Sequence, residues 1–463
     1  MKRNPSGPYE RMTKTPIPRL TFSLGVPAVI GMMITTIYNM VDTWFVAKLG
    51  TQAVAACGIT LSIQELTMSV GYWLGMGGGT AIGLLLGARR TEEAGRIGST
   101  AFFTTLMLGT LCALLGNACI GPLMRFLGAS ATILPYAVAY GRFILLCFPV
   151  MAGSLVLSTI LRCEGKMKLS MLGIASGGVL NMLLDPLFIF GLRLGVTGAA
   201  LATFLSQLAG LALLLFFFLS GRSETKLSPR LFTPRAGVYR RILVTGLPSL
   251  TRHGVTTVAN IAMNTAAGLY GGDVLIASLS IVGKIMALLM AVIKGIFQGS
   301  TTIFSYNKGA GRTDRVRAAY RFALSFTTGI TLVYAAVLTF TAEGVLSLFG
   351  AADPLIVSLG ARALLIQVYA LVLMPFNFSG NSLLQSVGEA WKSTFLAALP
   401  QGVFYVPAVF LLPLWLGQDG VLLAPALGQV LTAVVSAPVI RGYWRRMKEE
   451  PGQASYTNSQ LNA

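Results

Sequence analysis

Asp42, Glu65 and Asp185 are the only acids that fall clearly inside long apolar stretches of this chain. A carboxylate surrounded by hydrocarbon is costly unless it is paired, protonated or holding a cation, so each reads as a functional position. Tyr38 stands four residues before Asp42, and Asn181 four before Asp185, so each pair shares one helix face. Thr203, Asn39 and Gln207 add hydroxyl and amide groups that can complete the hydrogen bonding of a buried carboxylate. The chemistry such a set supports is reversible occupancy by a small cation. A carboxylate taken out of water favours its protonated form, and the oxygens of Asp42, Asn181, Asp185 and Thr203 would suit Na+ equally well. The plainer alternative is that the two aspartates cap helix ends or pair with a base. Other metal chemistry is not expected. His253 is the single histidine, and the five cysteines (Cys57, Cys112, Cys119, Cys147, Cys163) form no CxxC pair and read as small buried hydrophobes.

Basic residues also enter the apolar stretches: Arg142, Arg252, Lys284, Lys294 and Arg362. One of them neutralising Glu65 is the plain account. The sharper account is a substrate cavity whose wall includes Glu65, Gln64, Arg142, Arg252, Lys284, Met33, Met286 and Gln207. Methionines tolerate varied partners, so Met32, Met33, Met40, Met68, Met286 and Met290 would make an adaptable lining. In the second half of the chain Asp273, Glu343, Asp353 and Asp419 fall at loops or stretch ends. Cation coupling is therefore expected in the first half alone.

The elements that must position these groups follow from composition. Of 463 residues, 54% are apolar and 11% charged, with mean hydropathy +0.72. Soluble domains carry about 25% charged residues, so a soluble enzyme or a DNA-binding protein is excluded. A membrane span needs ~20 mostly apolar residues. Twelve stretches qualify: 20–46, 53–86, 97–120, 131–157, 168–190, 196–219, 242–268, 273–304, 320–341, 354–378, 393–414 and 420–443. With the N-terminus inside, the inner gaps hold 27 of the 35 Lys and Arg residues, while the outer gaps hold Lys48, Arg125 and Arg193. That asymmetry is the positive-inside signal, so the net charge of +19 is topological and no nucleic-acid partner is expected. The first apolar stretch is too long for a secretory h-region, and no cleaved signal is expected.

The two halves repeat. Gly25-Val26-Pro27 matches Gly246-Leu247-Pro248, Gly87-Ala88 matches Gly309-Ala310, and Leu127-Gly128-Ala129 matches Phe349-Gly350-Ala351. Gly195, Gly198 and Gln207 find Gly417, Gly420 and Gln429, always at an offset of 221 or 222. The fold class expected is an all-α membrane protein of twelve transmembrane helices in two six-helix repeats. Six is even, so both repeats enter from one side and are related by a pseudo-two-fold along the membrane normal, with a cavity between them. The predicted organisation is a basic arm at 1–19, a six-helix lobe at 20–220, a linker at 221–241, a second lobe at 242–443 and a polar tail at 444–463. Pro27 and Pro248 each remove a helix hydrogen bond at equivalent places and are expected to act as hinges. Gly75, Gly79, Gly83 and Gly87, with Gly295 and Gly299, predict close helix packing. Counting residues at 1.5 Å each puts Asp42 and Asp185 ~9 Å below the outer ends of their spans and Thr203 roughly 10 Å below, so three helices bring polar groups to one depth.

Leu24-Gly-Val-Pro27, Tyr38-Asn-Met-Val-Asp42, Val46-Ala-Lys-Leu-Gly50, Glu164-Gly165, Asn181-x-x-x-Asp185-Pro186, Gly198-Ala-Ala-Leu-Ala-Thr203 and Tyr306-Asn-Lys-Gly-Ala310 together resemble the multidrug and toxic compound extrusion (MATE) family, over about 16–443. The two aspartates resemble its DinF-like branch. The resemblance implies proton- or sodium-coupled antiport of organic, often cationic, compounds, with Asp42, Asp185, Asn181, Tyr38 and Thr203 as coupling site. It departs from the NorM-like branch, which has an acid in span seven where Arg252 and His253 stand here. The within-span cations leave room for zwitterionic or anionic cargo. A flippase for a lipid-linked or anionic substrate is the alternative, since Arg and Lys suit phosphate headgroups. An enzyme is not expected: no HExxH, GxSxG or paired-acid site lies at a membrane face. The partners expected are small molecules and the lipid bilayer, with no cofactor beyond H+ or Na+. A monomer in a bacterial inner membrane, both termini cytoplasmic, completes the expectation.

Overall fold

The computed structural model describes residues 7–348 and 354–449. Lys2 and Arg3 of the basic arm, the Phe349-Gly350-Ala351 echo, Asp353 and most of the polar tail lie outside the described residues. The described chain is helical: α1 (Pro8–Lys14), α2 (Ile17–Ala47), α3 (Thr51–Gly87), α4 (Thr91–Ala118), α5 (Ile120–Phe126), α6 (Leu134–Cys163), α7 (Met167–Pro186), α8 (Gly195–Leu219), α9 (Ala236–Gly309), α10 (Thr313–Leu348), α11 (Pro354–Leu371), α12 (Met374–Ser386), α13 (Ala390–Ala398), α14 (Tyr405–Leu411), α15 (Pro413–Leu416) and α16 (Gln418–Glu449). Five-residue π-helical turns follow α7, at 187–191, and α13, at 399–403. The first follows Pro186 and the second contains Pro400, prolines whose missing N–H loosens the ordinary ladder.

Among the described residues ten helices are long and apolar enough to cross a membrane, and α11 and α12, joined across a 46° bend, make an eleventh when counted as one span. The expected stretch at 242–268 is not among these eleven. It lies in the first limb of α9, whose Arg252, His253 and Asn260 lower its apolarity. At Gly272 the backbone turns to φ 59°, a conformation open mainly to glycine, and this separates limb 236–271 from limb 273–309. Helix thus begins at Ala236, inside the stretch expected as linker.

α1, the linker and the ends of α2, α3, α6, α7 and α8 that carry the Lys and Arg residues gather at one side, the basic end. Glu164 closes α6 there with its side chain fully buried. It accepts from Ser223 Oγ at 2.6 Å, Thr225 N at 2.8 Å and Glu224 N at 3.0 Å, which fastens the linker to the first half. α1 was expected only as part of a basic arm, yet it docks. Met12 is buried, Asn307 Nδ2 donates to its carbonyl at 3.2 Å, and Arg315 Nη2 donates to Thr15 O at 2.6 Å.

The two halves meet at this same end by backbone approach. A Cβ on Gly299 would stand 2.7 Å from the Gly25 amide nitrogen, and one on Gly77 3.0 Å from that of Gly246. These two contacts exchange when residue numbers are shifted by the repeat offset. Gly87 and Gly309 are as tight, against Tyr306 O (2.1 Å) and Leu84 O (2.0 Å). The predicted glycine stripe of α3 therefore divides. Gly75 and Gly79 pack on α6, at Val156 and Thr159, whereas Gly83 and Gly87 pack on α9. Gly77, outside the stripe, is as tight, against Ile242 O. Towards the other end of the molecule large apolar side chains are exposed, among them Met40, Trp44 and Leu61 in the first half and Val258, Ile261 and Leu269 in the second.

Candidate functional site

The two aspartates of the first half come together. Asp42, from α2, and Asp185, from the last turn of α7, face each other within hydrogen-bonding reach. Asp185 is fully buried. Asn181, one turn earlier, donates from Nδ2 to Asp185 Oδ1 at 3.0 Å and to Thr203 Oγ1 of α8 at 3.5 Å. Thr203 Oγ1 donates to the Ala199 carbonyl at 3.1 Å, which leaves its lone pairs turned to Asn181. Two carboxyl oxygens, Asp42 Oδ1 and Asp185 Oδ2, are buried without a hydrogen-bond donor among the described residues. Buried acceptors of this kind are rarely left unsatisfied. A proton or a cation between the two carboxyls would satisfy both.

Tyr38 stands on the same face of α2, beside Asp42 and opposite Gln207. Its ring lies against Gly178 of α7, where a Cβ would come within 2.6 Å of Tyr38 Cδ1. Asn39 does not join this group: it is exposed, and only its carbonyl is engaged, by Thr43 Oγ1. On the helix it is turned about 100° away from Tyr38. Two neighbours went unnoticed in the sequence. Tyr140, buried on α6, and Cys57 of α3 both stand close to Asp42. No spacing rule links them to it, since they reach it from two other helices, α3 and α6.

Between the halves lies a cavity of about 610 Å³. Met286 and Gln207 line it as expected, with Tyr38, Pro27 and three further methionines of the expected lining, Met32, Met68 and Met290. The other candidates for its wall are placed elsewhere. Met33 and Met40 are exposed, at 41% and 54%, because they sit off the inward stripe of α2. Glu65 is exposed, and among the described residues it has no ion-pair partner within 4.0 Å, so no base neutralises it there. Gln64 precedes it on α3 and does not reach the cavity wall. Arg142 is exposed on α6, and Lys284 is exposed beside Gly283, which does line the cavity. Arg252 turns into the second half. Its Nη2 donates to Asn381 Oδ1 at 2.6 Å and Gln385 Oε1 at 3.2 Å, and the guanidinium lies 5.2 Å from the Phe378 ring centre. Its neighbour His253 stacks on Tyr72 of α3 at 4.8 Å. Pro27 and Pro248 both sit buried inside unbroken helix.

Known proteins resemble this chain along most of its length. The MatE family model matches twice, over residues 27–187 and 248–411. The multidrug export protein MepA of Staphylococcus haemolyticus (strain JCSC1435) is 28% identical over 429 residues, 92% of this chain and 93% of that protein. MepA of Staphylococcus aureus (strain MRSA252) is 25% identical over 431 residues, covering 92% and 94%. A solved structure described as the outward-facing conformation of a multidrug resistance MATE family transporter of the MOP superfamily matches with TM-score 0.90 at 27% identity, covering 96% of this chain and all of that one. The family model alone accounts for more than half of the residues, and the chain belongs to the MatE family.

Proposed function

We propose that the chain is a secondary antiporter that exports organic compounds across a bacterial inner membrane, driven by proton entry through Asp42 and Asp185. The observation that carries this reading is a pair of carboxyls within hydrogen-bonding reach of each other, each with a buried oxygen, Asp42 Oδ1 and Asp185 Oδ2, that lacks a donor among the described residues. Two carboxyls can share a hydrogen bond only when one of them holds a proton. Asn181 presents its amide N–H groups to Asp185 and Thr203, an arrangement that complements a carboxylate. Sodium in the same place would need that amide turned to offer oxygen. The geometry therefore favours H+ over Na+, and no other cofactor enters the scheme. The paired aspartates agree with the DinF-like branch.

The export direction is supported by the relatives named multidrug export proteins. Two MatE matches separated by the repeat offset, and the exchanged Gly25–Gly299 and Gly77–Gly246 contacts, support two six-span lobes at 20–220 and 242–443. With the basic end cytoplasmic, the halves are closed inside and the aspartates lie towards the periplasm. Protonation from that side neutralises the pair and allows α2, hinged at Pro27, to repack. Substrate leaves outward, the lobes exchange facings about Pro27 and Pro248, and proton loss to the cytoplasm resets the site. The chain acts as a monomeric carrier without enzymatic chemistry.

Efflux of ethidium from proteoliposomes with an imposed pH gradient tests this. Wild type should export along the gradient, and Asp42→Asn and Asp185→Asn should lose that coupling. Gradient-driven efflux surviving in Asp42→Asn would overturn the assignment.

A further inference from the structure

We propose that the central cavity takes amphipathic organic anions, with Lys294 as the group that binds their acidic head. This deepens the export reading above and rests on it for the direction of transport. Lys294 lies on the second limb of α9, surrounded by protein yet exposed to the cavity it lines. Among the described residues its ammonium has no hydrogen-bond or ion-pair partner. Arg252 stands close enough to add positive potential, and Glu65 is the acid that acts on it, from beyond ion-pair distance. Arg162 is the second cation of the lining, at the basic end, donating to Thr159 Oγ1 at 2.5 Å. No Asp or Glu lines the cavity among the described residues.

An unpaired ammonium in a confined, largely apolar space is unfavourable, and an incoming anion relieves it. An organic cation finds no carboxylate in that lining to pair with and has only its apolar and neutral polar groups to rest on. The rest of the wall says what the anion carries. Seven methionines with Tyr38 and Tyr72 offer a deformable apolar surface, and Gln207, Gln298 and Gln401 supply neutral polar groups between them. A volume of about 610 Å³ admits one drug-sized molecule. The class that fits is a carboxylate, sulfonate or phosphate on an apolar body, drawn either from solution or from a lipid headgroup.

Binding to the full chain in nanodiscs tests this, using a dansyl-labelled undecanoate and the same dansyl chain ending in trimethylammonium. Wild type should prefer the undecanoate. Lys294→Met should weaken it about 10- to 100-fold, the range of a hydrogen bond between charged groups, and bind the trimethylammonium no worse. Lys294→Arg should restore most of the undecanoate affinity. Because the ammonium has no partner to lose, neither variant should melt below wild type. Undecanoate binding unchanged in Lys294→Met, or a wild type that prefers the trimethylammonium, would overturn the proposal. If wild type binds neither chain yet exports ethidium, the anion site falls and the export reading stands. Lys294-dependent binding in a protein that exports nothing would do the reverse. Phosphatidylglycerol in the nanodisc displacing the undecanoate identifies the bilayer as the source of the anion, and no displacement identifies solution; either supports the site.

Discussion

Gly77 of α3 and Gly246 of α9 meet backbone to backbone, with the place of a Cβ on Gly77 2.0 Å from the Ile242 carbonyl oxygen and 3.0 Å from the Gly246 nitrogen. The crossing joins the two halves at the basic end, and a side chain on Gly77 would meet main chain, which cannot step aside. Gly77→Val should therefore hold the halves apart without unfolding either. Spin labels on Ala88 and Ala310, at the ends of α3 and α9, should report a longer and broader distance. Thermal stability should fall by about 1–3 kcal/mol, the usual range for overpacking. An unchanged distance would show that the closed crossing tolerates volume there.

Gly178 sets the position of Tyr38, because a Cβ on it would come within 2.6 Å of the ring. Gly178→Ala should push the ring away from Asp42 and Gln207 and leave the fold intact. Proton-driven efflux should drop by about 10- to 100-fold, as expected when a reacting group is misplaced by about 1 Å. Tyr38→Phe, which keeps the ring and removes only the hydroxyl, should lose less. If both variants export at the wild-type rate, Tyr38 is a packing residue.

The spans and the aspartate pair were legible because both are one-dimensional signals. Apolar run length marks a span, and four-residue spacing puts Asn181 and Asp185 on one face whatever the tertiary fold. What escaped depends on rotation about a helix axis or on packing between distant helices. Asn39, Glu65 and Lys284 are polar residues in apolar stretches, but each turns outward. Tyr140 reaches Asp42 from a helix about a hundred residues away. The bend between α11 and α12 interrupts the stretch 354–378, whose hydropathy is continuous, whereas the break at Gly272 falls in the gap between the stretches ending at 268 and starting at 273. Limb 236–271 shows the converse: it is helical although Arg252, His253 and Asn260 dilute its apolar signal.

α1 seals the crevice between the halves at the basic end. Arg89 of α3 lies 4.2 Å over the Tyr9 ring, whose other neighbour is Tyr306 of α9, with ring centres 6.1 Å apart. Met12 fills the space beside Gly165, where a Cβ would stand 2.8 Å from its sulfur. Met12→Glu would place a carboxylate in that buried seat and should release α1, leaving the spans folded. The Ala88–Ala310 label distance should then shift towards longer values, while the melting temperature moves by only a few degrees. A distance distribution identical to wild type would mean that α1 follows the closed state without stabilising it.

Glu224 makes the linker seat sensitive to pH. Burial pushes its carboxyl above the ordinary value of 4.5; the Lys166 ammonium, 3.6 Å from Oε1, opposes this without overcoming it. A group that holds its proton more tightly in the folded chain than in the unfolded one stabilises the fold most on the acid side. That contribution is lost as pH rises from the unfolded value through the folded one. Wild-type melting temperature should therefore fall across this window relative to Glu224→Gln, which has no proton to lose. The gap between the two should grow with pH and then level off. Lys166 keeps Glu164 at 3.3 Å in either protein, so the variant leaves no stranded charge. A Glu224→Gln protein that melts below wild type at pH 7.5 would show that the ion pair with Lys166 outweighs burial, and the sign of this argument would be reversed.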